Sequence, residues 1–410
     1  MIRSCLHLPA TYLVPSLSLI RASVTLKAND AYERSMARCL ELAARGAGSV
    51  SPNPMVGCVI VAPNGTVLGE GWHEKFGGPH AEVRAVYEVV QRHGAGALQS
   101  STMIVNLEPC SHQGKTPPCA DLILANRIPR VVVGLTDPNL QVAGAGMRRL
   151  RDQGVEVVEG VLAERCARLN EAFLRHTVTG LPLVVLKIAQ TLDGCVATAG
   201  GDSRWISGEE SRRRVHEMRA TLDAVLVGSG TARSDDPALT VRSTHGRQPR
   251  RIVLDRTGTL PASLKLFSDD HADRTMAVVG EGRRPPYADT LRSRGGTILE
   301  IEELDDLLDL RLVLEALGRG SGGVLPIQSV LVEAGPRLAT VLVRNGLIDR
   351  MHLFVAPILI GVGKRAFGDL GVSRLKDAVS FTETRWEQVG ADALFTGFVH
   401  AAADLVKVTL

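Results

Sequence analysis

At 410 residues the chain exceeds one ordinary hydrophobic core and requires two domains. Its 45% apolar and 22% charged residues are those of a soluble globular protein, and a net charge of +3 with 4% aromatics offers no broad basic or stacking surface for a polynucleotide. The seven cysteines show no paired framework, which fits a reducing compartment.

Residues 1–29 carry Arg3, Arg21 and Lys27, several Ser and Thr, and no acid before Asp30. That composition is transit-peptide-like. We expect a disordered leader without a function of its own, in a cytoplasmic protein, or a plastid one if the leader is an address. The apolar run 12–20 is broken by Pro15 and is too short to span a bilayer. No later stretch qualifies, so no membrane partner is expected.

Asp30 and Glu33 form a D-x-x-E capping box, so folding should begin there. Tyr32, Met36, Leu40 and Ala43 then recur at helical spacing up to Gly46. Ser51-Pro52-Asn53-Pro54 is a rigid turn into strand 56–61, and Asn64-Gly65 marks a hairpin into 67–72. Pro79 precedes a helix over 80–93, stopped by Gly94. Strand 103–107 runs into Cys110, and Cys119 opens a helix over 120–126. Strand 130–135, a polar loop 137–146, helix 147–153, strand 155–159 and one long helix 163–177 follow. Gly180-Leu181-Pro182 is the boundary.

The second half restarts the pattern with strand 183–189. Ser207 and Glu210 form an S-x-x-E capping box for helix 209–222. Strand 224–228 runs into Gly228-Ser229-Gly230-Thr231, and 238–241 is strand-like. Strands 251–255, 276–279, 298–301 and 330–333 follow, and Ala334-Gly335-Pro336 opens helix 337–345. The last strands, 351–359 and 386–399, are antiparallel and close the sheet. Alternating strands and helices predict α/β layers in both domains.

The chemistry concentrates in His80-Ala81-Glu82, Pro109-Cys110 and Pro118-Cys119. One imidazole and two thiols suit a catalytic zinc, because a fourth position is left for water, whereas a structural zinc takes four protein ligands. Glu82 is then free to move protons. H-x-E followed by P-C and a second Cys is the signature of zinc-dependent nucleobase deaminases. Residues two apart on a helix point apart, so His80 and Glu82 share a site only at the helix start. A helix N-terminus at Cys119 favours both thiols as thiolates. The second half lacks G-x-G-x-x-G after a strand, so no Rossmann fingerprint is present. Its glycine-bearing strand ends, 228–231 and 333–336, are either anion sites or ordinary turns. Lys187 and Glu333 are polar groups on apolar strands, fit to supply a proton or stabilise charge; a snorkelling strand-end lysine is the plainer reading of Lys187.

The run PCSHQGKTPPC, with eight residues between its thiols instead of two, resembles the deaminase half of the bifunctional riboflavin-biosynthesis deaminase/reductase family. LKIAQTLDG, SRWIS, DDPALTVR and VEAGPRLA resemble the reductase half in the same order, so the likeness covers about residues 29–399. Family members usually carry Ser where Thr191 stands.

The resemblance implies a cytidine-deaminase-like domain over 30–179 and a dihydrofolate-reductase-like domain over 180–405, each a three-layer α/β/α unit. It implies zinc on His80, Cys110 and Cys119, deamination of 2,5-diamino-6-(5-phosphoribosylamino)pyrimidin-4-one with Glu82 moving protons, then reduction of the ribosyl group by NADPH. Asn53, in the family-like SPNPMVG run, would hold the pyrimidine, although it also suits a turn. His112 and Lys115, in the loop between the thiols, are candidates for the substrate phosphate, or solvated loop charges. Ala189, Trp205, Thr231, Asp235, Gly335, Pro336 and Arg337 would meet NADPH. Ser203, Arg219, Leu239, Arg242 and Glu333 would meet the substrate, with Arg219 alternatively salt-bridged on its helix surface. A homo-oligomer is expected. The alternative is a deaminase whose reductase-like half is an inactive structural module.

Overall fold

A computed structural model describes residues 17–111, 117–139, 143–304, 307–320 and 324–407. Helix α1 (Leu17–Ala44) leads into strands β1 (Gly57–Val61) and β2 (Val67–Trp72), then α2 (Ala81–His93) and β3 (Thr102–Val105). Next come α3 (Cys119–Ala125), β4 (Arg130–Val133), α4 (Ala145–Asp152), β5 (Glu156–Val158), α5 (Ala163–Leu169) and α6 (Glu171–Thr179). The sheet order is β2-β1-β3-β4-β5, antiparallel around β1 and parallel from β3 to β5. The two-residue period of β1 sends Cys58 and Ile60 to one face, under α2, α3 and α4. Val59 and Val61 go to the other, under α1, α5 and α6. The three expected layers are therefore present.

Two local expectations fail here. Helix α1 does not start at Asp30, because the chain is already helical from Leu17. A capping box needs a non-helical first residue, and Asp30 has helix on both sides. Residues 17–29 of the expected disordered leader are thus helix, and residues 1–16 lie outside the described residues. The single helix expected over 163–177 is two, α5 and α6, joined at Asn170. The Asn170 amide brackets Met55, accepting from its N–H at 2.8 Å and donating to its carbonyl at 3.0 Å, and this long-range bond holds the joint.

The second domain contains β6 (Leu183–Thr191), α7 (Glu209–Thr221), β7 (Ala224–Gly228), α8 (Ser229–Asp235), β8 (Arg250–Leu254), β9 (Thr275–Gly280) and β10 (Thr297–Ile301). It continues with α9 (Leu310–Arg319), β11 (Ser329–Glu333), α10 (Pro336–Arg344), β12 (Arg350–Ala356), β13 (Thr382–Val389) and β14 (Asp392–Phe398). Its nine-stranded sheet runs β10-β9-β8-β7-β11-β6-β12-β14-β13, parallel from β10 to β12 and antiparallel at β14 and β13. Val184, Leu186 and Ile188 pack under α9 and α10 on one face, and Leu183 and Val185 pack with Val215 of α7 on the other.

The strand expected over 386–399 is a hairpin instead, turning at Gly390 with φ 62°. The Ser207/Glu210 box does not form, since Gly208 is the N-cap and lacks a side-chain cap of its own. A strand far along the chain takes that place. Buried Asp392 accepts from Gly208 N–H at 2.8 Å and from the Ser211 hydroxyl at 2.5 Å.

The domains share side chains. Arg350 pairs with Glu171, Arg168 reaches Glu383 at 2.9 Å, and His176 Nε2 donates to the Gly318 carbonyl at 2.8 Å. The final helix α11 (Ala402–Lys407) returns to the first domain, where Leu405 and Val406 pack against its core. Among the described residues no helix is long and apolar enough to cross a membrane.

Candidate active sites

His80 is the N-cap of α2, with extended backbone at φ −70° and ψ 161°, while Glu82 sits in the first turn. That geometry lets two side chains two residues apart converge, as Pro79 suggested. Cys110 follows the end of β3, and Cys119 is the first residue of α3. His80 Nδ1 lies 3.3 Å from Cys119 Sγ and 3.7 Å from Cys110 Sγ, and the three ligand atoms fall within 4.8 Å of one another. A tetrahedral zinc with ordinary Zn–S and Zn–N bonds has N–S edges of roughly 3.6 Å, so the donor set fits it.

Hydrogen bonding from Cys119 holds the Cys110 thiol at about 4, against burial and with help from His80. The same bond, with burial, pushes Cys119 up. The protein groups alone therefore favour one thiolate rather than the two expected; a bound dication deprotonates the second.

Glu82 is 3% exposed, and burial raises its carboxyl above the usual range against the pull of His80. Its Oε2 has no hydrogen-bond partner among the described residues. A carboxyl raised by desolvation, beside three metal-type donors, is suited to exchange protons.

Asn53 Nδ2 lies 3.0 Å from His73 Nε2, and His73 Nδ1 lies 3.0 Å from the Pro79 carbonyl. The carbonyl requires the proton on Nδ1, so Nε2 accepts from Asn53. The Asn53 carbonyl oxygen is left to accept from a substrate. His73 stands edge-on to His80, with ring centroids 5.6 Å apart. His73 has no metal-ligand spacing and was not singled out from sequence. Glu108 was also missed. Its carboxylate accepts from the N–H groups of Gly144 and Gly146 at 2.9 Å and of Asp137 at 3.2 Å, clasping the loop after β4 against Pro109-Cys110. The sequence signal was a carboxylate directly before Pro-Cys. His112 and Lys115 lie outside the described residues.

The second site lies at the carboxyl ends of β7, β11 and β6. Lys187 is in register with Glu333 on one side and His352 on the other. Desolvation pushes the Lys187 ammonium down, Glu333 raises it and Arg219 lowers it. Burial opposes the Glu333 carboxylate, but Arg219 and Lys187 outweigh it and hold the acid at about 2. Arg219 grips Glu333 fork to fork, at 2.6 and 2.9 Å, and donates to the Thr240 carbonyl at 3.0 Å. At 9% exposure it is buried rather than on the helix surface, and its pair brings two of the expected substrate residues together.

The segment 238–242 is not a strand. Leu239 is buried with φ 50°, a conformation no ladder accommodates. Side chains hold its backbone instead. Arg251 donates to the Ala238 carbonyl at 3.0 Å, Gln248 brackets Val241 at 2.8 and 2.9 Å, and His216 Nδ1 accepts from Arg242 N–H at 3.2 Å. The Arg242 side chain is exposed, with one 3.2 Å bond to the Thr240 hydroxyl.

Parallel pairing of β7 and β11 brings the two glycine-bearing strand ends together. A Cβ on Gly335 would stand 3.4 Å from the Thr231 hydroxyl, so the two strand ends approach to contact distance there. Gly335 is the N-cap of α10 and Pro336 its first residue, with Arg337 exposed beside them. Unpaired N–H groups of a helix start face phosphate well. Trp205 is 70% exposed, with the Arg212 guanidinium 4.8 Å from its ring centre. Ser203 is half-buried beside it, and Arg204 ties this segment to the Asp235 carbonyl at 2.7 Å. Ala189 is in register with Phe354 across β6 and β12.

Comparison with known proteins follows the same division. Residues 29–135 match the cytidine and deoxycytidylate deaminase zinc-binding region, and residues 182–395 match the RibD C-terminal domain. The riboflavin biosynthesis protein RibD of Actinobacillus pleuropneumoniae is 39% identical over 363 residues, 88% of this chain and 93% of the relative. That of Escherichia coli is 38% identical over 374 residues, 88% and 97%. The solved structure of Acinetobacter baumannii RibD superposes with TM-score 0.80 at 36% identity, covering 90% of this chain and 99% of that one. A Thermotoga maritima diaminohydroxyphosphoribosylaminopyrimidine deaminase/5-amino-6-(5-phosphoribosylamino)uracil reductase gives 0.75 at 36% identity, with the same coverage.

Proposed function

The chain belongs to the RibD family of bifunctional riboflavin-biosynthesis enzymes, and on that premise we propose how its residues divide the work. The first domain deaminates 2,5-diamino-6-(5-phosphoribosylamino)pyrimidin-4-one. The second reduces the deaminated ribosyl compound with NADPH to 5-amino-6-(5-phosphoribitylamino)uracil. The observation that carries the reading is the convergence of His80, Cys110 and Cys119 beside a buried carboxylate oxygen, Glu82 Oε2, that lacks a hydrogen-bond partner among the described residues.

His80, Cys110 and Cys119 would hold zinc, which when bound supplies a water acidic enough to attack at neutral pH. Glu82 takes the water proton, delivers it to the ring nitrogen and then helps protonate departing ammonia. Asn53, oriented by His73, holds the pyrimidine, and His112 and Lys115 are assigned to its phosphate.

In the second site the strand ends at Thr231 and Gly335, with Ala189, Trp205, Asp235, Pro336 and Arg337, fit a dinucleotide phosphate and ring; NADPH supplies the hydride. Lys187 is the proton donor, because desolvation brings its ammonium down toward neutrality. Glu333 keeps that ammonium oriented. Arg242 takes the substrate phosphate, with Ser203 and Leu239 lining the same pocket; Arg219 serves the site by holding Glu333 and Thr240. An inert reductase-like half is disfavoured, since Lys187, Glu333, Thr231 and Gly335 are assembled rather than dispersed.

The same reading places the deaminase unit at residues 30–179 with the returning helix α11, and the reductase unit between 180 and 399. The six described cysteines are all unpaired, which supports the reducing cytoplasm; a plastid address would reside in the leader. A homo-oligomer is supported by the outer strand β13, where Trp386 is 61% exposed, and light scattering reads that state. The two-step reading is tested by metal content and by turnover of the phosphoribosylaminopyrimidine with and without NADPH. Zinc-dependent ammonia release without NADPH and NADPH oxidation only after it are expected.

A further inference from the structure

A cavity of about 300 Å³ opens between the two domains, and none of the residues assigned to zinc, cofactor or substrate lines it. Ser51 walls it from the first domain; Asp223, Arg247, Gln248, Arg250, Arg274 and the run 325–327 wall it from the second. Three half-buried guanidiniums thus face one carboxylate.

That carboxylate is already spent. Asp223 Oδ1 accepts from Arg247 at 2.7 Å, and its Oδ2 accepts from the N–H groups of Gln328 and Ser329 at 2.9 and 3.2 Å. Arg247 Nε is buried without a partner. Arg274 places one bond, of 3.0 Å, on the Gln248 carbonyl. Among the described residues Arg250 makes one side-chain hydrogen bond, 3.4 Å to the Asp273 carbonyl; burial and then Arg274 work against its charge, and Asp273 supports it in part. Among the described residues Arg250 and Arg274 bond carbonyls rather than carboxylates, so their desolvation is only partly compensated. Guanidinium forks match the several acceptor oxygens of a dianionic phosphate. The cavity is larger than a phosphate ion, and Leu325, Pro326 and Ile327 give it one apolar wall, with Leu325 51% exposed.

We infer that this interdomain cavity binds a phosphate monoester, its phosphate on Arg250 and Arg274 and its organic body against Leu325 and Pro326. The site shares Gln248 with the support of the 238–242 segment but none of the residues assigned to zinc, NADPH or substrate, and its test reads binding, not turnover.

Titration calorimetry of the full chain at constant ionic strength, with inorganic phosphate and with phenyl phosphate as probes, decides it. Phenyl phosphate should bind more tightly than inorganic phosphate. Its affinity should fall at least tenfold in the R250Q/R274Q double variant and stay unchanged in R242Q. L325S should weaken phenyl phosphate while leaving inorganic phosphate as it was. Binding lost in R242Q but kept in R250Q/R274Q would put the anion in the reductase site and overturn the inference, as would absence of saturable binding. Should the double variant lose zinc or helical content, R250Q alone gives the same reading, since among the described residues Arg250 makes only that one long side-chain hydrogen bond.

Discussion

Arg219 of α7 and Glu333 at the end of β11 form a bidentate pair at 2.6 and 2.9 Å, 114 residues apart in sequence. The pair holds Glu333 ionised beneath Lys187, and through the Thr240 carbonyl it also holds the segment that carries Arg242. Breaking it leaves an uncompensated buried charge. Arg219→Met should cost about 3–5 kcal/mol of stability, read by denaturant unfolding. The sign of its pH dependence follows from a depressed acid. Glu333 contributes stability that is complete above the ordinary carboxylate pKa and is lost as pH falls toward about 2. In Arg219→Met, with the depression reduced, the part of the stability lost between the ordinary carboxylate pKa and about 2 should shrink. An unmoved acid-unfolding midpoint would show that the pair does not set the charge.

Glu82→Gln should retain stoichiometric zinc and the fold but lose deamination by roughly 10²–10⁴-fold, because an amide cannot carry a proton. Reduction of pre-deaminated substrate should be unchanged. Cys110→Ser with Cys119→Ser should abolish zinc retention, measured by metal analysis after dialysis. Metal kept by that double variant would remove both thiols from the ligand set.

Arg242→Ala should lose about 2–4 kcal/mol in kcat/KM for the deaminated pyrimidine, with the NADPH KM unaltered. Gln248→Ala, which frees both ends of the Val241 peptide, should show the same pattern at about 1–2 kcal/mol. A loss confined to the NADPH KM in either variant would move the 238–242 segment out of the substrate site.

Deleting residues before Asn29 should leave zinc content and both activities intact. Among the described side chains of α1 the first to be fully buried is Met36, so the truncation removes helix but no described core contact. An insoluble or inactive truncated protein would assign the leader a structural role.

The sequence by itself determined the zinc site, the two-domain α/β plan and the order of the reductase motifs. Ligand chemistry restricts a zinc triad to a few residue types, and local rules place them. Pro79 starts a helix, so His80 and Glu82 meet at its first turn, and a short strand delivers Cys110. Tertiary structure decided what no local rule carries. The cap of α7 is Asp392 rather than Ser207, and the break between α5 and α6 is held by Met55. Arg219 is paired with Glu333 from a distant strand, and helix α11 returns to the first domain. Each of these joins residues over 100 positions apart in sequence. A carboxylate, an amide or a guanidinium names the bonds it can make but not the partner that reaches it. Only the packing of two sheets and their helices brings that partner within 3 Å and excludes the water that would otherwise take its place.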